Sequence, residues 1–266
     1  MDKTLSGDGT SIAYRRRGDG PPVILVGGAL STAADEAPLA ALLATRFTVV
    51  TYDRRGRGAS GDGGPYAPLR EVEDLAAVAA AVGGRVSLFG MLSGGALALE
   101  AQAAGLPVDL LAVYQPPYSP GPDGLRRASR RTALLRRLLA AGDRAGAVEL
   151  HLSLTGVPRE TIARMRRAPL WSGLEAVAHT LAHDDALLGD GSVPAARFAS
   201  VTARTLVVTG GFCTEEARAA SLALATAVPR ARQRTLTGQT HELAPHAIAP
   251  VLAEFFARRV LAGRVA

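Results

Sequence analysis

Residues 90–95 read Gly90-Met91-Leu92-Ser93-Gly94-Gly95, and they constrain the fold more than any other stretch. A short apolar run, Val86-Ser87-Leu88-Phe89, leads in, and Ala96-Leu97-Ala98-Leu99-Glu100 leads out. The first run reads as a buried strand and the second as a helix. Gly90 and Gly94 stand two residues to either side of Leu92. Glycines so placed let backbone pass where a side chain would collide. The segment therefore predicts a strand that turns into a helix through one sharply bent residue, Leu92. Such a unit belongs to a parallel sheet covered by helices.

The rest of the chain keeps that rhythm. An early antiparallel strand is expected at 11–16, and buried strands at 23–26, 47–52, 85–89, 110–114, 205–209 and 233–236. Helical runs fall near 33–44, 70–82, 93–104, 215–227 and 246–261. Strands alternating with helices of this length give an α/β fold with a mostly parallel sheet. Between 118 and 203 only helices are expected, at 123–141, 144–154, 158–167 and 173–188. The reading is a core of 1–117 and 204–266 carrying a helical cap, 118–203. Ligands in open α/β sheets bind beyond the carboxyl ends of the strands, so this cap would roof the site.

Composition narrows the partners. The 266 residues are 48% apolar, enough for one large core with an insertion. No apolar run approaches the roughly 18–20 residues of a membrane span. The start, Met1-Asp2-Lys3-Thr4, lacks the layout of a signal peptide, and a single cysteine, Cys213, fits a reducing compartment. The expectation is a cytoplasmic chain. The charge of +6 comes almost wholly from arginine. Its one dense cluster, Arg126, Arg127, Arg130, Arg131, Arg136 and Arg137, alternates with Leu134, Leu135, Leu138 and Leu139 at helical spacing. That is a solvated helix face rather than a nucleic-acid platform, which needs interleaved aromatics. No G-x-G-x-x-G follows the first parallel strand, so no nucleotide cofactor is expected. His179 and His183 are four apart, but without an H-E-x-x-H pattern they predict no metal. The partner is a small molecule, and the oligomeric state is left open.

Five motifs in order carry a resemblance. They are Val23-Ile24-Leu25-Val26-Gly27-Gly28, Tyr52-Asp53-Arg54-Arg55-Gly56-Arg57-Gly58, the turn at 90–95, Tyr114-Gln115-Pro116-Pro117, and Gly238-Gln239-Thr240-His241. Together they resemble the α/β-hydrolase fold superfamily over nearly the whole chain, and more narrowly its capped, actinobacterial-type members. The resemblance implies a cap inserted after the sixth strand of that fold. It also implies a nucleophile, an acid and a histidine in that chain order. The nucleophile position, at the G-x-S-x-G elbow, is Leu92. The histidine position is His241. The acid position is Gln115, or else falls near Cys213 and Thr214, with Glu215 next in line.

Leucine attacks nothing, so an ester-cleaving serine is not expected at the elbow. An alternative register makes Ser93 the nucleophile, but Met91 would then crowd the turn. Ser93 otherwise supplies one backbone N–H of an oxyanion hole, with Gly28 or Ala29 supplying the other. Gln115 is expected to accept the imidazole N–H and orient it without stabilising its charged form. Asp53 is expected to brace its turn with Arg54 or Arg57. Met91, Tyr118, Trp171 and His179 are expected to line a pocket.

The sequence supports three functions. The first is non-hydrolytic acid/base chemistry by His241 on an apolar carbonyl compound, as a cyclase, lyase, dehydratase or isomerase of secondary metabolism. The second is hydrolysis through Ser93 or through water activated by His241. The third is a binding protein on a hydrolase scaffold.

Overall fold

Along the strand after Pro22, successive side chains enter opposite layers. Val23 and Leu25 join one apolar cluster, and Ile24 and Val26 the other. That period of two is what a strand buried on both faces produces. The structure, a computed structural model, describes residues 1–262, with side chains to 257. The last four positions expected in the core, 263–266, lie outside the described residues.

The strands are β1 (Asp2–Leu5), β2 (Ser11–Arg17), β3 (Pro22–Val26), β4 (Thr48–Tyr52), β5 (Val86–Met91), β6 (Val108–Tyr114), β7 (Arg204–Gly210) and β8 (Ala231–Leu236). They form one sheet in the order β1-β2-β4-β3-β5-β6-β7-β8, with β3 to β8 parallel. Helices α1 (Ala37–Leu43), α2 (Pro68–Ala81) and α3 (Ser93–Ala103) connect the early strands. Between β6 and β7 lie α4 (Gly121–Ala140), α5 (Arg144–Leu154), α6 (Arg159–Met165), α7 (Leu170–Val177), α8 (Leu181–Leu188) and α9 (Ala195–Phe198). The chain ends through α10 (Glu215–Ala227) and α11 (Pro245–Ala262). α1 and α11 cover one face, while α2, α3 and α10 cover the other.

Four elements differ from the sequence reading, one of them the short helix α9, which was not expected. β1 was not expected: three of its four residues are polar, it is mostly exposed, and pairing with β2 holds it. β8 was expected to be buried but is an exposed edge strand, because only β7 flanks it. The single helix expected at 173–188 is α7, a short 3-10 turn and α8. At that break Thr180 turns its hydroxyl onto the Val177 carbonyl at 2.7 Å and accepts from Arg57 at 3.1 Å. A hydroxyl bonded back to the preceding turn competes with a straight helix.

The helical insert docks in two ways. It has its own apolar cluster, with Val148, Trp171, Ala178 and Leu181, and Leu30 from the loop after β3 completes it. It also contributes Asp184, which accepts from Arg54 and Arg57 at 2.7 Å each. Arg54 also donates to both oxygens of Glu71, at 2.6 and 2.7 Å, and the Tyr66 hydroxyl donates to Glu71 at 2.8 Å. All four charged groups are buried. Two guanidiniums face two carboxylates, so the charge is neutralised where water cannot do it.

Burial alone would raise the Asp184 pKa, but Arg54 and Arg57 hold it down at about 2. Asp184→Asn should therefore cost about 3–5 kcal/mol, the usual penalty for stripping a buried charge of its partner. Urea midpoints at pH 7 test this. Because the folded pKa lies below the ordinary 3.8, the contribution is present above pH 4 and fades toward pH 2. The gap between wild type and variant should close over the same range.

Candidate functional site

The order of the chain across the sheet reverses at β3: β4 lies to one side and β5 to the other. The crevice beyond the carboxyl ends of β3 and β5 is thus the switch point where such sheets bind ligands. Among the described residues three non-glycines have positive φ, and all follow strand ends there. They are Leu30 (φ 60°), Leu92 (φ 51°) and Gln115 (φ 43°). Backbone held this way costs about 1–3 kcal/mol per residue and persists only where surroundings enforce it.

Leu92 itself is the residue between β5 and α3, with ψ −121°. The flanking glycines are needed for contact, not freedom. A Cβ on Gly94 would run into the Val26 and Gly27 carbonyls, and one on Gly90 would meet Gly94 O at 2.5 Å. The frame fixes Leu92 as the elbow residue. Ser93 is the first residue of α3, almost fully buried. Its hydroxyl accepts from Arg54 at 3.4 Å and hydrogen-bonds Asp184, so it faces the buried ion pairs.

The loop after β3 is oriented from the same ion-pair group. The Gly28 carbonyl accepts from the Arg57 guanidinium, and from Ser31 Oγ at 2.8 Å. In a trans peptide the N–H points opposite to the C=O, so this turns the Ala29 N–H away from Arg57. Neither Ala29 N–H nor Ser93 N–H meets a protein acceptor among the described residues. A Cβ on Gly28 would lie 3.3 Å from the Leu92 Cβ, so the two segments are in contact. Two free N–H groups beside one elbow form the donor pair that acyl and enolate oxygens require.

His241 lies in the bend between β8 and α11. The carbonyl of the preceding residue, Thr240, accepts from the Tyr114 hydroxyl at 2.6 Å and from Gln115 Nε2 at 3.1 Å. Gln115 was expected to accept from the imidazole. Its amide instead donates to the backbone, because its strained φ aims it at the loop carbonyl. It anchors the histidine loop rather than the ring. Burial lowers the His241 pKa, and Glu242 offsets this in part. The imidazole is therefore neutral at pH 7.

The remaining candidates scatter. Asp53 braces its turn through the backbone N–H groups of Ala33 (2.7 Å) and Ala59 (2.9 Å), not through the arginines. Met91 packs with the cluster under α1 and α11. Tyr118 is buried in the opposite layer, edge-on to Phe198. Trp171 sits in the insert's own core and donates to Glu175 at 2.8 Å. His179 pairs with Asp62 at 3.2 Å, and His183 stacks on Tyr66 with centroids 3.9 Å apart. Among the described residues no group of His, Cys, Asp or Glu is placed to hold a metal. Cys213 lies in the loop after β7, and Glu215, exposed, opens α10.

Two groups absent from the sequence reading stand near this centre. His151 of α5 feels the charges of Asp184, His241, Arg131 and Arg57, and burial lowers its pKa to about 4. Its signal was its spacing of three and four from Val148 and Ala147. Glu36, before α1, is 6% exposed and has no hydrogen bond to its carboxylate among the described residues. Its Oε1 would lie 3.2 Å from a Cβ on Gly27. Nothing in Ala33-Ala34-Asp35-Glu36 signals burial.

The chain belongs to the alpha/beta hydrolase family, whose sequence pattern matches residues 12–254. It is 51% identical to an alpha/beta hydrolase from Sphaerobacter thermophilus, over 96% of this chain and 100% of that one, with a TM-score of 0.86. Two similar structures share the fold at low identity. A hydrolase from Pseudomonas aeruginosa is 23% identical over 96% of this chain and 97% of its own, with a TM-score of 0.73. A meta-cleavage product hydrolase from Pseudomonas fluorescens is 19% identical over 97% and 98%, with a TM-score of 0.68. No helix among the described residues is long and apolar enough to cross a membrane.

Burial, and then the charge of Asp35, raise the Glu36 pKa from 4.5 to about 7. A carboxyl raised on folding favours the protonated form, so its stabilising share is whole below pH 4.5 and lost as pH rises through 7. Glu36→Gln should therefore be near neutral at pH 5 and stabilising by about 3 kcal/mol at pH 9. Thermal melts at the two pH values read the difference.

Proposed function

We propose that this chain is an α/β-hydrolase-fold enzyme that works without a covalent nucleophile, using His241 as a base on a small apolar carbonyl compound. The observation that carries this reading is the leucine at the strained elbow, with the flanking glycines, the two free N–H groups and His241 kept and Gln115 at the acid position. A carbonyl oxygen would rest on the Ala29 and Ser93 N–H groups. The neutral His241 would take a proton from the adjacent carbon, and the N–H pair would hold the enolate oxygen. The same imidazolium then returns the proton, at the same carbon or another. That sequence needs no carboxylate behind the histidine, because the enolate itself faces the imidazolium. It suits isomerisation, cyclisation, dehydration and retro-aldol cleavage. The insert acts as the lid that keeps water from the enolate.

Hydrolysis is the second reading, favoured by the similar structures being named hydrolases. Ser93 is poorly disposed for it, with its hydroxyl on Arg54 and Asp184. Water activated by His241 is the route that the geometry leaves.

A fluorophosphonate probe, detected by intact mass, separates these routes. No adduct is expected, and a stoichiometric adduct abolished by Ser93→Ala would restore the serine reading. The base role is tested with 2-tetralone in D2O. The enzyme should speed deuterium uptake beside the carbonyl, and His241→Ala should return it to background, a loss of roughly 10²–10⁴-fold for one general base. The wild-type rate should hold below pH 6.5 and then fall, since only the neutral imidazole accepts the proton and burial lowers its pKa. Uptake that ignores the His241→Ala change would sink the proposal.

A further inference from the structure

We infer that the insert supplies a second imidazole to this centre: His151 hydrogen-bonds the substrate from the lid side, opposite His241. The inference rests on the base reading of His241 given above. Helix α5 places the residue. Ala147 and Val148 are fully buried in the insert's apolar cluster, the one that Leu30 completes and against which Ala29 packs. His151 follows them by four and three residues, so it projects from the same face of the helix. That face is turned toward the Ala29-Leu30 loop, which carries one of the two free N–H groups.

The charged surroundings agree. The charged groups that reach His151 come from four separate segments: Asp184 of α8, His241 after β8, Arg131 of α4, and Arg57 before α2. Arg57 is the group that orients the Gly28 carbonyl. Neither ring nitrogen of His151 makes a hydrogen bond to protein among the described residues. The ring is only partly buried, and neither nitrogen is sealed from contact, so a ligand beside the Ala29-Leu30 loop can meet it.

Its role follows from its protonation state. Burial, with His241, Arg131 and Arg57, outweighs Asp184 and keeps the ring neutral at pH 7. A neutral imidazole offers one N–H and one lone pair. It can hold or polarise an oxygen without taking a proton. His241 moves the proton, and His151 fixes a second oxygen of the substrate. The substrate class then sharpens to an apolar carbonyl compound bearing a second oxygen, such as a hydroxyketone or a diketone.

Two aromatic enol mimics separate the roles. 1,3-Dihydroxynaphthalene has a second oxygen, and 2-naphthol has one. With the full-length protein carrying labelled histidines, 1,3-dihydroxynaphthalene should shift the imidazole signals of both His151 and His241. His151→Phe should weaken its binding roughly tenfold, the equivalent of one hydrogen bond. The same variant should leave 2-naphthol within about threefold, and His151→Gln should recover part of the loss. Shifts confined to His241, or equal losses for both mimics, would overturn the role of His151 and leave the base reading intact. Silence from both histidines, with no deuterium uptake by 2-tetralone, would overturn the base reading and this inference together. The wild-type spectra decide the matter even where a variant fails to fold.

Discussion

Asp184 accepts from two arginines in the same buried space, and much of the site hangs on that arrangement. One arginine, Arg54, reaches on to Glu71 and Ser93. The other, Arg57, reaches on to the Gly28 carbonyl. Arg57 is the weaker guanidinium electrostatically, because burial and its neighbour Arg54 both lower its pKa, while Asp184 and Glu71 hold Arg54 above the ordinary value. Two positive charges sharing one aspartate tolerate no loss. The docking of the insert, the setting of the oxyanion turn and the burial of the Ser93 hydroxyl are thus one electrostatic arrangement.

Strain is concentrated where that arrangement meets the sheet. Leu30, Leu92 and Gln115 each hold positive φ without glycine's freedom. Each also holds something else in place. Leu30 joins the insert to the loop after β3. Leu92 brings the Ser93 N–H to the elbow. Gln115 pins the Thr240 carbonyl ahead of His241. Backbone strain at a reactive serine is understandable as the means of exposing it. Here the same strain surrounds a side chain with no reactive atom, so its purpose lies in the amides and loops it orients.

The sheet was legible because periodicity reports burial. β3 to β7 carry continuous apolar runs, and the sequence reading places them to within two residues. β8 misleads because Gln233 and Leu236 sit in a β-prone stretch whose exposure depends on having a neighbour on one side only. The elbow register was legible because glycine spacing is a steric statement, and the contacts of Gly90 and Gly94 express the same constraint. The role of Gln115 was not, since a side-chain amide can donate or accept and only the Thr240 carbonyl decides. His151, Asp184 and Glu36 were out of reach for a related reason. Each is buried by segments remote in sequence, and no local pattern reports that.

The outer edge of the sheet has its own consequence. β8 presents Arg232, Gln233 and Arg234 to solvent beside a row of backbone groups that no further strand pairs with among the described residues. An edge written with arginines repels a second copy of itself and resists the stacking that flat apolar edges invite. At this position the positive charge of the chain thus serves as protection against aggregation.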